Sequence, residues 1–148
     1  MSTGIGDWKS MDFDQFQYEF GDSSVPPPYH RSYTITLKGN ELLFVVDSYG
    51  DILLEQRLDI SADFKKEVRS LLKTFNIEHK KKTISDGCAG GTTKYIRLYK
   101  NGVEVFKGGL YFCAGDSYGD LSGDLNGFSQ SFIQTFLPDL QKRIQTTE

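Results

Sequence analysis

Residues 86–124 read DGCAGGTTKYIRLYKNGVEVFKGGLYFCAGDSYGDLSGD, and the centre of this stretch predicts a β-hairpin. Two runs rich in β-branched and aromatic residues, 93–99 and 103–106, flank the dipeptide Asn101-Gly102. An Asn-Gly pair tolerates positive φ at both positions, as a two-residue type I′ turn requires. Folding about this turn brings the two ends of the stretch together. We therefore expect a patch rich in glycine, cysteine and aspartate at one edge of a sheet.

Hydrophobic periodicity predicts the other elements. Alternating apolar residues predict four strands before the hairpin, within 11–20 (with a bulge), 33–37, 42–46 and 52–58. The period then changes to that of a helix over 64–75, with Ser61 as N-cap and Asn76 at its end. A second helix is predicted over 125–137, capped by Asp124 or Ser122 and interrupted by Pro138.

This order of elements is typical of a single α+β domain. It predicts an antiparallel sheet of about six to seven strands, connected as hairpins, with two helices packed on one face. A closed barrel is a less favoured arrangement of the same strands. We expect residues 1–10, which are small and polar apart from Ile5 and Trp8, to form a flexible N-terminal arm. Residues 11–148 then make up the domain.

Charge and composition exclude several classes of protein. A net charge of −3 disfavours nucleic-acid binding, which needs a concentrated basic surface. No apolar run approaches the roughly 20 residues that span a bilayer, so no membrane partner is expected. The first residues lack the basic and apolar regions of a secretory signal, which indicates a cytoplasmic protein. The common phosphate, dinucleotide, zinc-protease and serine-hydrolase motifs are absent, so no cofactor and no catalytic residue is assigned.

The two cysteines lie near the two ends of the hairpin stretch. The Asn101-Gly102 turn places Cys113 opposite Gly90, and one or two bulged glycines would bring Cys88 opposite Cys113. A disulfide clamp and a redox switch are the functional interpretations. In a reducing compartment, two buried thiols are the structural alternative.

A series of Gly-Asp pairs ends the stretch, with Asp116, Asp120 and Asp124 recurring every fourth residue. Three carboxylates on one loop are candidate ligands for Ca²⁺ or Mg²⁺. The spacing does not match the EF-hand pattern, and turn formation together with capping of the second helix explains the same residues.

The pentapeptide Asp-Ser-Tyr-Gly-Asp occurs twice, at 47–51 and 116–120. Both copies follow a strand, which indicates two similar turns. If these turns lie at the same end of the sheet, they form an acidic and aromatic surface, and tyrosine is favoured at protein-binding hot spots. Its candidate binding residues are Tyr49, Asp51, Asp116, Tyr118 and Asp120.

These patterns favour a non-catalytic, cytosolic domain that binds another protein, such as an immunity-type (toxin-neutralising) or accessory protein. One alternative is a metal-assisted hydrolase that uses Asp86 with the carboxylates of the Gly-Asp loop. The other is a redox-sensitive structural domain built on Cys88 and Cys113. The oligomeric state is not indicated by the sequence.

Overall fold

The computed structural model describes residues 11–61 and 63–148 of the chain. The arm expected at residues 1–10 lies outside this range. The strands are β1 (Gln15–Gly21), β2 (Ser32–Lys38), β3 (Glu41–Ser48), β4 (Asp51–Asp59), β5 (Glu78–His79), β6 (Thr92–Lys100), β7 (Val103–Cys113), β8 (Asp116–Gly119) and β9 (Leu121–Ser122). The helices are α1 (Phe64–Thr74), α2 (Leu125–Phe136) and α3 (Leu140–Gln145).

One seven-stranded sheet organises the fold, in the order β4-β3-β2-β1-β6-β7-β8. Each neighbouring pair is antiparallel. β1 lies at the centre and joins the meander β1–β4 to the hairpin β6–β7, while β5 and β9 form a separate two-stranded sheet. The predicted α+β class and the antiparallel sheet of six to seven strands are confirmed. The strands stop short of closing into a barrel, since β4 and β8 are edges.

The β6–β7 hairpin turns at Asn101 and Gly102, whose φ angles are +50° and +79°. These are the two positive values that the sequence predicts for a type I′ turn. The single bulge in this ladder lies at Val105, because Leu98 pairs with Phe106 while Tyr99 pairs with Glu104. The expected bulge at a glycine is absent from this ladder. Gly108 and Gly109 pair in the regular register, and Gly90 and Gly91 lie beyond the last pair.

The two faces of the sheet differ in polarity. In the row across β1, Tyr18 pairs with Ile35 and Ile96, and all three side chains are buried. The adjacent residue Gln17 pairs with Thr36 on β2, and both are only partly buried. Because alternate residues of a strand point to opposite sides, the sheet has an apolar face that carries the core and a polar face that keeps some exposure.

Helix α2 packs on the apolar face. The ring centroid of Phe132 lies 5.2 Å from that of Phe16 and 5.6 Å from that of Tyr18. α1 contacts α2 and buries Phe64, Val68 and Leu72. The ring contacts establish the position of α2, whereas the packing of α1 on the same face stays a prediction.

The helix ends agree with the sequence except at one N-terminus. Asp124 caps α2, since its carboxylate accepts a hydrogen bond from Gly127 N–H at 2.9 Å. The chain leaves α1 at Asn76 with φ of +55°, as expected for a residue that tolerates the left-handed region. The prediction of Ser61 as N-cap of α1 is wrong, because the helix begins at Phe64 and Asp63 occupies the N-cap. The Ser61 hydroxyl instead accepts a bond from Asp63 N–H outside the helix.

The two Asp-Ser-Tyr-Gly-Asp copies adopt different structures. In the first copy, Tyr49 and Gly50 form the β3–β4 turn with φ of +52° and +91°. In the second copy, Asp116–Gly119 is strand β8 itself, and the preceding turn is made by Ala114 and Gly115. The expectation of two similar turns is therefore wrong for the second copy. The Gly-Asp loop predicted there forms β8 and β9 instead.

Candidate functional site

A groove of about 430 Å³ opens where β6, β7 and β8 meet the segment 82–85. We call it the tyrosine groove. Its lining includes Tyr95, Tyr111, Tyr118, Lys82, Lys107 and Gly109. The three tyrosines and Lys107 belong to the polar face, so the groove lies on the side of the sheet opposite the core.

Strand register aligns the tyrosines. Tyr95 lies opposite Gly109 across β6 and β7, and Tyr111 lies opposite Tyr118 across β7 and β8, with ring centroids 6.5 Å apart. A Cβ on Gly109 would lie 2.2 Å from Cδ1 of Tyr95. Glycine at this position therefore lets the Tyr95 ring lie directly against the β7 backbone.

The cations on the groove outnumber the free carboxylates. Lys107 Nζ lies 5.5 Å from the Tyr95 ring centroid, within the range of a cation–π contact. Lys82 and Lys107 are exposed, and neither forms an ion pair with a carboxylate in the described part of the chain. The one lining carboxylate, Asp120, is engaged, because it accepts Gly109 N–H at 2.9 Å and lies 3.6 Å from Nε2 of His79. The rim is consequently basic.

A disulfide between Cys88 and Cys113 braces the wall of the groove, with Cα atoms 6.4 Å apart. The Tyr111 hydroxyl donates to Cys88 O at 3.3 Å and accepts from Gly91 N–H at 3.1 Å. The segment that contains Cys88 thus positions the Tyr111 ring. Because the Tyr111 hydroxyl is hydrogen-bonded to this segment, rotation of the Tyr111 side chain is restrained.

The N-terminal end of the same segment is fixed by hydrogen bonds to β8. Thr83 N–H donates to Gly119 O at 2.9 Å, and Gly119 N–H donates to the Thr83 hydroxyl at 3.0 Å. These bonds occupy part of the outer edge of β8. Since the segment is anchored at both Thr83 and Cys88, the groove is formed before any ligand arrives.

Comparison with known proteins finds no family model, no curated protein and no solved structure that matches this chain. Among the described residues, none of the helices is long and apolar enough to cross a membrane. The function is therefore argued from the geometry of the groove.

The structure divides the binding residues predicted from the repeated pentapeptide. Tyr118 and Asp120 line the groove, and Asp116 is exposed at the start of β8. Tyr49 and Asp51 lie at the β3–β4 turn, near the other edge of the sheet. Four strands lie between β3 and β8, which separates the two groups by about 24 Å at ordinary strand spacing. The two copies therefore do not form one continuous surface.

The three Gly-Asp carboxylates do not converge on a metal site. Asp120 bonds to the β7 backbone, Asp124 caps α2, and Asp116 is exposed at the β7–β8 turn. No group of three or more histidine, cysteine or acidic side chains suited to a metal ion exists in the described part of the chain. Asp86, the fourth candidate of the hydrolase hypothesis, is exposed in the segment that precedes Cys88.

Sequence reasoning missed four groove residues: Tyr95, Tyr111, Lys82 and Lys107. Tyr95 lies in the run 93–99, which predicts only a strand, and Tyr111 lies beyond the run 103–106, in a part of β7 that the sequence did not predict. Their signal was alternation, because Tyr95 occupies the opposite parity from the buried pair Ile96 and Leu98. Gly108-Gly109 was a second signal, since glycine within a strand often marks the close approach of another group.

Proposed function

We propose that this protein is a non-catalytic binding domain that holds another protein in the tyrosine groove. The observation that supports it best is the line of Tyr95, Tyr111 and Tyr118 across three adjacent strands. Tyrosine provides a large contact area with few rotatable bonds and is enriched among binding hot spots. Because the groove is anchored beforehand, binding there loses little conformational entropy.

The charge of the rim indicates the chemistry of the partner. Lys82 and Lys107 are exposed cations, whereas the carboxylate of Asp120 is already hydrogen-bonded to Gly109. An acidic segment of the partner would complement this rim and speed association at low salt. This proposal differs from the sequence-based hypothesis of an acidic surface. It assigns the contacts with the partner to tyrosines and lysines instead of aspartates.

An immunity-type or accessory role remains the concrete version of this proposal. It is supported by the compact domain and by a groove lined with tyrosines and lysines. A formed disulfide is typical of an oxidising compartment. A cytosolic location, which the sequence suggested, is therefore proposed only for the form with reduced cysteines.

The test is an affinity capture from the source cell with the intact protein, comparing the wild type with Lys107→Glu and Tyr118→Ala. Lys66→Glu is the matched control, because this exposed lysine lies on α1, outside the groove. We expect one stoichiometric protein partner to be retained by the wild type and the control. Its affinity should fall about tenfold or more for each groove variant, as for a truncated hot spot.

Folding of each variant is checked by circular dichroism and thermal unfolding, so that lost binding is not confused with lost structure. Equal capture by all four proteins would overturn the assignment of the groove. A partner that is lost from Lys66→Glu but kept by Lys107→Glu would place the binding surface on the helices instead.

A redox-sensitive structural role is the second candidate, and the Cys88–Cys113 disulfide favours it. Cys88 O accepts a bond from the Tyr111 hydroxyl, so reduction should loosen one wall of the groove. Partner affinity measured with and without dithiothreitol separates the two functions. An affinity that does not change on reduction would remove the redox role and leave the binding role intact.

A further inference from the structure

A second recess, of about 350 Å³, lies between β1, β2 and the helices α2 and α3. Its lining includes Tyr18, Phe20, Tyr33, Ser129, Ile133 and Ile144. These residues belong to the apolar side of the sheet, so this recess is separate from the tyrosine groove. Its volume lies within the ordinary range for small-molecule sites.

Aromatic rings form one wall of this recess. Phe20 stacks on Tyr33 with ring centroids 5.2 Å apart and planes at 27°. The Tyr18 ring follows at 6.3 Å from Tyr33. Tyr18 is fully buried, whereas Phe20 and Ile133 keep some exposure and give the recess an apolar surface that suits the hydrocarbon or aromatic part of a ligand.

Buried hydroxyl groups lie at the same wall. The Tyr18 hydroxyl donates to Ser129 Oγ at 2.9 Å, and Ser129 Oγ donates to Leu125 O at 2.8 Å. Burial raises the pKa of Tyr18 to about 12, and it also raises the pKa of Tyr33. Both phenols therefore stay protonated and neutral at ordinary pH, which excludes them as a source of negative charge for the nearby cations.

Two cations line this recess without a carboxylate partner in the described part of the chain. Arg31 donates only to neutral oxygens, among them Thr147 Oγ1 at 2.7 Å and His30 O at 2.7 Å. Lys94 Nζ bonds to Asn126 Oδ1 at 2.6 Å and lies 5.4 Å from the Phe112 ring centroid.

The environment of Lys94 favours an added anion. Its side chain is partly buried, and this desolvation lowers its pKa, with the more distant charge of Asp124 opposing the shift. A cation removed from water is stabilised by an opposite charge at close range. Glu148 also lines the recess, but it forms no ion pair with Lys94 or Arg31 in the described part of the chain.

We propose that the recess binds a small organic carboxylate, whose apolar body lies against Phe20 and Tyr33 and whose carboxylate contacts Lys94 and Arg31. Arg31 is held in place by its bonds to Thr147 and His30, so its remaining N–H can be presented without reordering the side chain. The aromatic wall selects for an apolar body, and the two cations select for the acid over its neutral analogue.

The test is isothermal titration calorimetry of the intact protein with 4-phenylbutyrate and decanoate as probes. The neutral amide of each acid has nearly the same shape without the charge, and acetate has the charge without the apolar body. We expect saturable binding of at least one probe, with affinity about tenfold or more above its amide and above acetate. Lys94→Gln should weaken the acid by a similar factor and leave the amide unchanged.

Lys73→Gln is the control, because this exposed lysine lies on α1 and outside the recess lining. If neither probe binds saturably, or if acid and amide bind equally, the proposal is overturned. Equal weakening by Lys73→Gln and Lys94→Gln would also overturn it. The comparison of acid with amide requires only the wild type, so it decides the question even if Lys94→Gln fails to fold.

Discussion

The phenol ring of Tyr49 lies nearly parallel to the imidazole of His30, with ring centroids 3.8 Å apart and planes at 20°. The Tyr49 hydroxyl also donates to Val25 O at 2.6 Å. These two contacts attach the β3–β4 turn to the proline-rich loop that precedes β2. Tyr49 therefore has a structural role, while the equivalent tyrosine of the second pentapeptide, Tyr118, lines the tyrosine groove.

The first prediction compares these two tyrosines. Tyr49→Ala should lower the free energy of unfolding by about 1–2 kcal/mol, because it removes a ring stack and a hydrogen bond. Tyr118→Ala should cost less, about 0.2–1 kcal/mol, since it removes one cross-strand ring contact, that with Tyr111. Urea unfolding of both variants checks this. An equal loss in the two would contradict the division of roles.

The second prediction concerns the disulfide. Cys88 and Cys113 are 25 residues apart, and a cross-link over a loop of this size restricts the unfolded chain. The double variant Cys88→Ser/Cys113→Ser should lose about 2–4 kcal/mol of stability. Intact mass spectrometry should show the wild type gaining two hydrogens on reduction. If reductant leaves the mass and the unfolding midpoint unchanged, the bond is absent in solution.

The elements that the sequence predicted well depend on local information. The β6–β7 turn follows from two residues, Asn101 and Gly102, whose positive φ is a property of that dipeptide. The positive φ of Asn76, shortly after α1, and the cap of α2 at Asp124 are equally local. Such features need no knowledge of the strand order, so they could be inferred from a few neighbouring residues.

The candidate site depends on long-range pairing, and this is why only part of it was predicted. β1 pairs with β6, and this pairing places the two pentapeptide copies near opposite edges of the sheet. The same five residues form a turn around Tyr49 and a strand around Tyr118, because Tyr118 pairs with Tyr111 while Tyr49 has positive φ. The neighbouring strand decides the outcome, and the pentapeptide itself carries no information about it.

The third prediction compares the N-caps of α1 and α2. Asp124 accepts a hydrogen bond from Gly127 N–H, whereas Asp63 makes no side-chain cap bond. Asp124→Ala should therefore cost about 1 kcal/mol of stability, and Asp63→Ala distinctly less. Thermal unfolding of the two variants measures the difference. A larger loss for Asp63→Ala would show that the charge near the helix end matters more than the hydrogen bond.

The fourth prediction concerns the stability of the fold at high pH. Burial of Tyr18 raises its pKa from 10.0 to about 12, an effect partly opposed by the hydrogen bond to Ser129. In the unfolded chain the same phenol loses its proton near pH 10, at about the ordinary value for tyrosine. Between the two pKa values the folded state binds more protons than the unfolded state, so the free energy of unfolding falls as the pH rises.

The contribution of Tyr18 is fully present below about pH 10 and is lost as the pH rises through its folded pKa. The expected loss is about 1–3 kcal/mol over this window. Urea unfolding at a series of pH values should show a shallower decline for Tyr18→Phe than for the wild type. Some decline should remain, because burial also raises the pKa of Tyr33. Ser129→Ala is the control, since it removes the hydrogen bond but keeps the phenol and should therefore keep the steep decline. Equal slopes in the wild type and Tyr18→Phe would mean that this phenol ionises as readily in the folded protein as in the unfolded chain.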